Sequence, residues 1–237
     1  TMTPTVAPAT GRLGVLTVGL GAVSSTLIAD VELVKRGLGQ PIGSLTQMDT
    51  ISLGKRTDGR TPLIKDFVPL ADLSDVVFGA WDPFPDDAYV AATRAGVLEG
   101  GKHIEQISEA LRDVRPMKAA FDREYVKRID ADNTIGTVGK RAMLEAIRED
   151  ITRFREEKQC DRLVMIWAAS TEIFIEPGPA HQNLEAFEAA IDANDPTIAP
   201  SMLYAYAAIL EGVPFANGAP NLTVDIPVLR ELAIEKK

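Results

Sequence analysis

The glycine-rich motif GLGAVS at residues 19–24 is the part of this sequence whose residue types and spacing most directly suggest chemistry. It is a variant of the pattern G-x-G-x-x-G in which Ser24 replaces the third glycine. Gly19 would allow a tight turn, Gly21 would let the backbone approach a pyrophosphate, and the following helix would present free N–H groups to that anion. The motif therefore predicts dinucleotide binding. The alternative is a glycine turn that binds no ligand.

Two further polar segments follow apolar runs and could complete such a site. Asp82 directly follows the run at residues 75–80, where a carboxylate could accept hydrogen bonds from both ribose hydroxyls of a dinucleotide. Asp49 lies nearer to the usual distance of about 20 residues from the glycine motif, but its segment shows no clear strand. A helix cap or a turn is the alternative role for Asp82. Ala169 and Thr171 follow a third apolar run.

The elements that must position these residues alternate along the chain. The predicted strands cover residues 13–18, 75–80 and 162–167, and the predicted helices cover residues 24–36, 86–95, 104–111, 139–157, 184–193, 201–210 and 227 onward. The remaining long segments are expected to be loops, with at most one strand in the first: residues 40–73, 81–83 and 212–220. Apolar strands that alternate with helices predict an α/β fold with a doubly wound parallel sheet. Ligands bind beyond the carboxyl ends of such strands, so the polar segments should converge at one edge.

Periodic apolar residues predict which helix faces are buried. In the helix at residues 24–36 these residues are Leu27, Ile28, Val31 and Val34. In the helix at residues 139–157 they are Met143, Ile147, Ile151 and Phe154. The charged residues of the second helix are expected to form a solvated face. Tyr204, Tyr206 and the methionines are expected to be part of the core.

Composition restricts the class of protein. The net charge of −9 argues against binding to the nucleic-acid backbone, although an acidic protein can still contain a local pocket for a small phosphate ester. No apolar run reaches the roughly 20 residues of a membrane-spanning helix, and the first residues lack the features of a secretory signal. We therefore expect no nucleic-acid or membrane partner and a cytoplasmic location. The single cysteine, Cys160, excludes an internal disulfide and is expected to be structural.

Other reactive residue types suggest no competing site. His103 and His181 have no companion at metal-ligand spacing, so each is expected to be a surface or hydrogen-bonded loop histidine, and no metal site is expected. The sequence has neither a G-x-S-x-G elbow nor a G-x-x-x-x-G-K-[ST] loop, which argues against the commonest hydrolases and nucleotide triphosphatases.

Several of these segments together resemble the bacterial type of the myo-inositol-1-phosphate synthase family. They are GLGAVSST at residues 19–26, FGAWD at 78–82, WAASTE at 167–172, SMLYAYAAILEG at 201–212 and NGAPN at 217–221. The similarity runs in order from about residue 11 to the C-terminus. Such ordered agreement is more specific than the glycine motif alone.

The resemblance implies a Rossmann-like domain with NAD as the cofactor. It implies that NAD is bound by the glycine loop, by Asp82 at the adenosine ribose and by the Ala-x-Thr element, that is, by Gly19, Gly21, Ala22, Val23, Ser24, Asp82, Ala169 and Thr171. The implied activity is that of an inositol-3-phosphate synthase, an isomerase that oxidises glucose 6-phosphate, enolises and cyclises the resulting ketone, and returns the hydride. In the family, lysines stabilise the enolate and hold the phosphate.

The sequence departs from the family after residue 221. The family's lysine-bearing segment follows the Asn-Gly-x-Pro element and opens the catalytic and tetramerisation domain, but this chain ends at Lys237. We therefore expect a disordered leader at residues 1–10 and an incomplete Rossmann-like domain at 11–237, with no catalytic residue of its own and no activity alone. The expected partners are glucose 6-phosphate, further copies in a homo-oligomer, or a second polypeptide with the remaining domain. The alternatives are an ordinary NAD-dependent dehydrogenase and a non-catalytic NAD-binding fragment.

Overall fold

The protein is described by a computed structural model for residues 9–96, 98 and 102–236. Most of the predicted leader, residues 1–8, lies outside this described part. The α-helices are α1 (Ala22–Lys35), α2 (Leu45–Met48), α3 (Ile64–Phe67), α4 (Ala88–Ala95), α5 (Lys102–Gln106), α6 (Ser108–Asp113), α7 (Lys140–Glu157), α8 (Leu184–Asp192), α9 (Pro200–Leu210) and α10 (Pro227–Glu235). The strands are β1 (Leu13–Val18), β2 (Val76–Asp82), β3 (Pro116–Lys118), β4 (Arg162–Trp167) and β5 (Phe215–Asn217).

The strands form one parallel sheet in the order β3-β2-β1-β4-β5. Strand β1 is central, and its last residue Val18 lies opposite Trp81 of β2 and Trp167 of β4. The chain moves outward from β1 to β3 and then returns to the other side of β1 to form β4. The order therefore reverses between β1 and β4, which is the place where ligands bind in open α/β sheets. The predicted α/β class with a Rossmann-like parallel sheet is confirmed.

Helices cover both faces of the sheet, as the apolar strands predicted. One face packs against α7, α8, α9 and α10 through a large apolar cluster that includes Leu16 and Met165. The other face packs against α1, α4, α5 and α6 through a second cluster that includes Val15 and Phe78. The carboxyl ends of β1, β2 and β4 are thereby fixed to one rigid framework, because both faces of these strands are buried.

Several boundaries differ from the sequence prediction. Trp81 and Asp82, which were expected in a loop, end β2 because Trp81 still pairs with Val18 of β1 and Asp82 pairs with Lys118 of β3. The short strands β3 and β5 were not predicted, since three residues give no period. The predicted helix at residues 104–111 is two helices, α5 and α6, which meet at Ile107.

Two predictions of helix faces were partly wrong. In α1 the buried apolar residues are Ile28, Ala29 and Leu33, whereas Leu27 is exposed. Small residues therefore bring this helix close to the sheet. In α7 the predicted apolar residues are buried, but Lys140 is buried with them instead of belonging to a solvated face.

A long segment joins α1 to β2 and contains α2, α3 and isolated antiparallel bridges such as Thr50 with Leu63. It separates the glycine motif from the end of β2 in the sequence. In the described ranges, no helix has both the length and the apolarity that a membrane crossing requires.

Candidate functional site

A cavity of about 550 Å³ lies at the carboxyl edge of the sheet, where the strand order reverses. Its walls come from the loop after β1, the end of β2, the segment after β3, the loop after β4 and the start of α9. Its lining residues include Gly19, Gly21, Ala22, Val23, Asp82, Arg94, Asp122, Ala169, Glu172 and Tyr204. The predicted convergence of the three polar segments is therefore observed.

The two glycines of the loop after β1 have different roles. Gly19 has a φ of +96°, and a Cβ there would come within 2.6 Å of the Ala169 Cα, so only glycine fits between β1 and the extension of β4. At Gly21 a Cβ would meet nothing within 4 Å, since this position faces the cavity. Gly21 is also the N-cap of α1, whose first turn contains no acidic residue. The backbone N–H groups there are open to an anionic ligand.

The carboxylate of Asp82 connects the end of β2 to the glycine loop. Its Oδ2 accepts a hydrogen bond of 2.5 Å from the Leu20 N–H, and its Oδ1 accepts one of 2.9 Å from the Phe84 N–H. Burial raises the pKa of Asp82 above its usual value, although these two N–H groups act in the opposite direction. Each oxygen keeps a lone pair with which it can accept a bond from a hydroxyl in the cavity.

The remaining predicted contact residues lie in different places. Ala22, Val23 and Ala169 line the cavity, but Ser24 and Thr171 are not among its lining residues. Ser24 is a buried residue of the first turn of α1, in the position where the usual third glycine allows close packing of helix and strand. Thr171 is exposed beside the mouth. The competing candidate Asp49 is exposed outside the cavity, where its side chain accepts the Thr50 N–H.

Tyr204 lies at the buried end of the cavity, between Trp81 and Trp167, the two tryptophans that lie opposite Val18 of β1. Its ring makes edge contacts with Trp81 and Trp167, at centroid distances of 5.3 and 5.9 Å. Its hydroxyl oxygen accepts a 2.9 Å hydrogen bond from the Ala120 N–H, and burial raises its pKa. Tyr204 is therefore a core residue, as predicted, and also positions the segment after β3 as a wall of the site.

Glu172 is a buried acid in the cavity wall that sequence reasoning did not assign to the site. Its Oε1 accepts a 2.9 Å hydrogen bond from the Ser201 N–H, and its Oε2 accepts one of 2.5 Å from the Ser201 hydroxyl. Asn221 donates to the same carboxylate from the chain after β5. Burial raises the pKa of Glu172 to about 7, against the effect of the Ser201 hydrogen bonds. An acidic residue shortly after a strand was the signal that could have indicated it.

Charged groups in the cavity wall are mostly acidic. Asp82, Asp86, Asp122 and Glu172 line it together with Arg94, which is paired with Asp86 at 2.5 Å. An anionic part of a ligand is therefore favoured only near the N-terminus of α1 and Arg94. The opposite side, near Glu172, favours neutral or cationic groups.

A second cavity, of about 850 Å³, adjoins the first and shares Phe121, Asp122, Ile129 and Pro200 with it. The buried ammonium of Lys140 lies in its wall and donates hydrogen bonds of 2.9 Å to the Tyr125 hydroxyl and 2.7 Å to the Ile198 carbonyl. Burial lowers the pKa of Lys140. These bonds join the segment after β3 to the start of α7 and to the chain before α9, which stabilises the wall between the cavities.

The other residues that sequence reasoning considered have structural surroundings. His181 is buried, its Nδ1 accepts the Gly178 N–H, and its Nε2 is 3.0 Å from the Thr197 carbonyl, as expected for a hydrogen-bonded loop histidine. His103 is exposed. Cys160 is buried, and burial raises the pKa of its thiol, which disfavours the reactive thiolate.

Comparison with known proteins identifies the family of nearly the whole chain. A family model described as myo-inositol-1-phosphate synthase matches residues 13–237. The chain is 46% identical over 233 residues to inositol-3-phosphate synthase 1 of Bacteroides thetaiotaomicron, covering 98% of this chain and 53% of that protein. It is 31% identical over 247 residues to the inositol-3-phosphate synthase of Saccharomyces cerevisiae, covering 94% of this chain and 46% of that protein.

Solved structures agree with this result. The crystal structure of inositol-3-phosphate synthase from Caenorhabditis elegans matches with a TM-score of 0.86 at 27% identity, covering 96% of this chain and 48% of that one. A myo-inositol-1-phosphate synthase-related protein from Thermotoga maritima matches with a TM-score of 0.63 at 20% identity, over 95% of this chain and 52% of that one, which shows a shared fold. The chain spans about half the length of the curated relatives it matches.

Proposed function

Because this chain belongs to the myo-inositol-1-phosphate synthase family, we propose that it supplies the NAD-binding part of an inositol-3-phosphate synthase. The observation that supports this most directly is the cavity itself, in which the open Gly21 position and the Asp82 carboxylate lie on adjacent strand ends. A dinucleotide needs both a place for its pyrophosphate and an acceptor for its ribose hydroxyls.

NAD is the cofactor of this domain, since the matching family model is one of NAD-binding domains. The residues of the cavity fit such a ligand. A side chain at Gly21 would project into open space, so the bare backbone there leaves room for a close approach by a pyrophosphate. The first N–H groups of α1 have no partner within the helix and point to the same region.

We place the cofactor with its pyrophosphate at Gly19, Gly21, Ala22 and Val23, and its adenosine ribose at Asp82. Ala169 would contact it from the loop after β4, because this residue both lines the cavity and touches the glycine loop. The contacts expected from Ser24 and Thr171 remain predictions. Ser24 itself lies in the first turn of α1, where its side chain is buried.

The proposed whole reaction converts glucose 6-phosphate to 1D-myo-inositol 3-phosphate. NAD supplies a hydride acceptor that later returns the hydride, so the oxidation state of the cofactor is unchanged over one turnover. The residues of this chain bind the cofactor, orient it at the strand ends and shield its buried side from water through Trp81, Trp167 and Tyr204. Lysines that stabilise the enolate and bind phosphate are proposed to lie in the segment that follows in the relatives.

The oligomeric state and the cellular location of the protein are part of the same proposal. We propose that residues 11–237 form the Rossmann-like unit of a cytoplasmic enzyme that acts on a small phosphorylated sugar. This unit would work within a homo-oligomer such as a tetramer, or together with a second polypeptide. Sedimentation of the protein with and without NAD would test the oligomeric part. A monomer under both conditions would contradict the homo-oligomer and leave the second polypeptide as the remaining option.

Calorimetric titration with NAD followed by product analysis tests the proposed function. We expect saturable NAD binding to this chain, and no conversion of glucose 6-phosphate by the chain alone. Formation of inositol phosphate without net NADH would support the synthase reaction and contradict the expected need for a separate lysine segment. Absence of NAD binding would overturn the proposed site.

The two alternatives give different results in the same assay. An ordinary dehydrogenase would accumulate NADH steadily with an alcohol substrate, because nothing returns the hydride. A non-catalytic fragment would bind NAD and show no turnover even when the remaining domain of the enzyme is supplied.

A further inference from the structure

The sheet topology divides the cavity into two sides. The two halves of a dinucleotide bind on either side of the point where the strand order reverses. Under the placement proposed above, Asp82 at the end of β2 marks the adenosine side. Strand β4 lies on the opposite side of β1, so the residues that follow β4 face the nicotinamide half.

Glu172 brings a carboxyl group to that second side, and this group is negatively charged in its ionised form. It lines the cavity with a side chain that is 7% exposed, and the Ser201 and Asn221 hydrogen bonds fix its position. These partners are neutral groups, so they orient the carboxylate without cancelling its charge. The ammonium of Lys140 acts on Glu172 through its charge, but it donates its hydrogen bonds to the Tyr125 hydroxyl and the Ile198 carbonyl. A cationic group of a ligand in the cavity would therefore meet a carboxylate whose charge Lys140 offsets only in part.

The two redox forms of the cofactor differ in charge at one place only. The nicotinamide ring is cationic in NAD+ and neutral in NADH, whereas the adenosine and pyrophosphate parts are the same in both forms. We propose that the carboxylate of Glu172 faces the nicotinamide ring and makes the site bind NAD+ in preference to NADH. Coulomb interactions are strong in a water-poor cavity, so one buried carboxylate can produce a difference of about tenfold in affinity.

This preference would serve the proposed reaction, in which the reduced cofactor must give its hydride back. A site that stabilises the cationic ring makes bound NADH a better hydride donor. Glu172 is a positioning and charge-stabilising residue here, and its hydrogen bonds from Ser201 and Asn221 hold it in place.

The pH dependence of the preference follows from the ionisation of Glu172. Its pKa is raised to about 7, so the carboxylate is mostly protonated at pH 6 and mostly ionised at pH 8. The other groups around it are Lys140 of α7, Tyr125 and Asp122 of the segment after β3, and Tyr204 of α9. The two tyrosines have raised pKa values and stay neutral in this range.

Titration calorimetry with NAD+ and with NADH, at pH 6 and pH 8, tests the inference. In the wild-type protein we expect the affinity for NAD+ to rise relative to NADH by about tenfold between these pH values. In Glu172→Gln we expect NAD+ to bind about tenfold more weakly at pH 8, with NADH nearly unchanged and no pH dependence of the ratio. Glu176→Gln, which removes an exposed carboxylate from the same loop, should behave like the wild type.

Asp82→Asn provides the matched control for the adenosine side and should weaken both forms equally. An equal effect of Glu172→Gln on both forms at pH 8 would overturn the role of Glu172 while leaving the proposed site intact. Failure of the wild type to bind either form would instead overturn the placement of NAD on which this inference rests. If Glu172→Gln does not fold, the wild type alone still tests the inference, because NAD+ that binds no more tightly than NADH at pH 8 would overturn it.

Discussion

Gly19 and Ala169 are packed so closely that a Cβ on Gly19 would lie 2.6 Å from the Ala169 Cα. The two residues belong to the loops after β1 and β4, on either side of the place where the strand order reverses. The contact aligns these loops along one edge of the sheet. It therefore links the part of the cavity at the N-terminus of α1 to the part that contains Glu172.

Replacement of Gly19 by alanine should destabilise the fold. The residue has a φ of +96°, and the added methyl group would force the loop after β4 away. Strain of this kind together with a backbone clash costs roughly 2–4 kcal/mol in the free energy of unfolding. Urea denaturation measures the loss, with Gly21→Ala as the matched control. Equal stability of the two variants would contradict the close packing of these loops.

Replacement of Gly21 by valine should abolish NAD binding and leave the fold intact. The new side chain would enter the space in which the pyrophosphate is placed, yet it meets no protein atom within 4 Å. We expect the affinity for NAD to fall by more than about a hundredfold, because the close backbone contact would be lost. Calorimetric titration measures the affinity, and thermal melting checks the fold.

Gly178→Val is a suitable control for this variant, because Gly178 also has open space around its Cβ position but lies outside the cavity. It should bind NAD like the wild type. Retained affinity in Gly21→Val would remove the glycine loop from the binding site.

Replacement of Tyr204 by phenylalanine tests the link between the core and the cavity wall. The hydroxyl oxygen is the acceptor for the Ala120 N–H, and its removal would leave that buried donor without its partner. The expected loss is about 1–3 kcal/mol in the free energy of unfolding. Tyr206→Phe, whose hydroxyl bonds to the partly exposed Glu188, should cost less. Chemical denaturation of both variants gives the comparison.

The central part of the fold was predictable because it depends on local patterns. The strands β1 and β4 are continuous apolar runs, and the apolar face of α7 repeats at helical spacing, so both were found with nearly correct boundaries. The short strands β3 and β5 were missed because their pairing is determined by neighbours that are distant in the sequence. Sheet pairing of this kind leaves no local signal.

The candidate site was predictable only where a residue follows a recognisable strand. Gly19, Asp82 and Ala169 meet this condition and line one cavity. The usual spacing pointed to Asp49, since the insertion between α1 and β2 moves the end of β2 further along the chain. Glu172 was not assigned, because its importance comes from burial against Ser201 of α9. The burial of Lys140 likewise depends on Tyr125 and Ile198, which are remote in sequence.

The buried carboxyl of Glu172 should also affect how stability depends on pH. Its pKa is about 7 in the folded protein and close to the ordinary value of 4.5 in the unfolded chain. Between these values the folded state binds more protons at this site, so the contribution of Glu172 to stability decreases as the pH rises. It is fully present below about pH 4.5 and is lost as the pH rises through about 7. Over this range the change is on the order of 3 kcal/mol.

Denaturation of the wild type and of Glu172→Gln at pH 5, 6, 7 and 8 isolates this contribution, because all other titrating groups are common to both proteins. The difference in unfolding free energy, wild type minus variant, should fall steadily from pH 5 to pH 8 and level off above pH 8. Saturating NAD+ should shift the fall to lower pH, since a cationic ring beside Glu172 would favour its ionised form. Saturating NADH should leave the curve in place. A difference that stays constant with pH would show that the carboxyl of Glu172 is ionised throughout, and that its burial is compensated by its hydrogen bonds to Ser201 and Asn221.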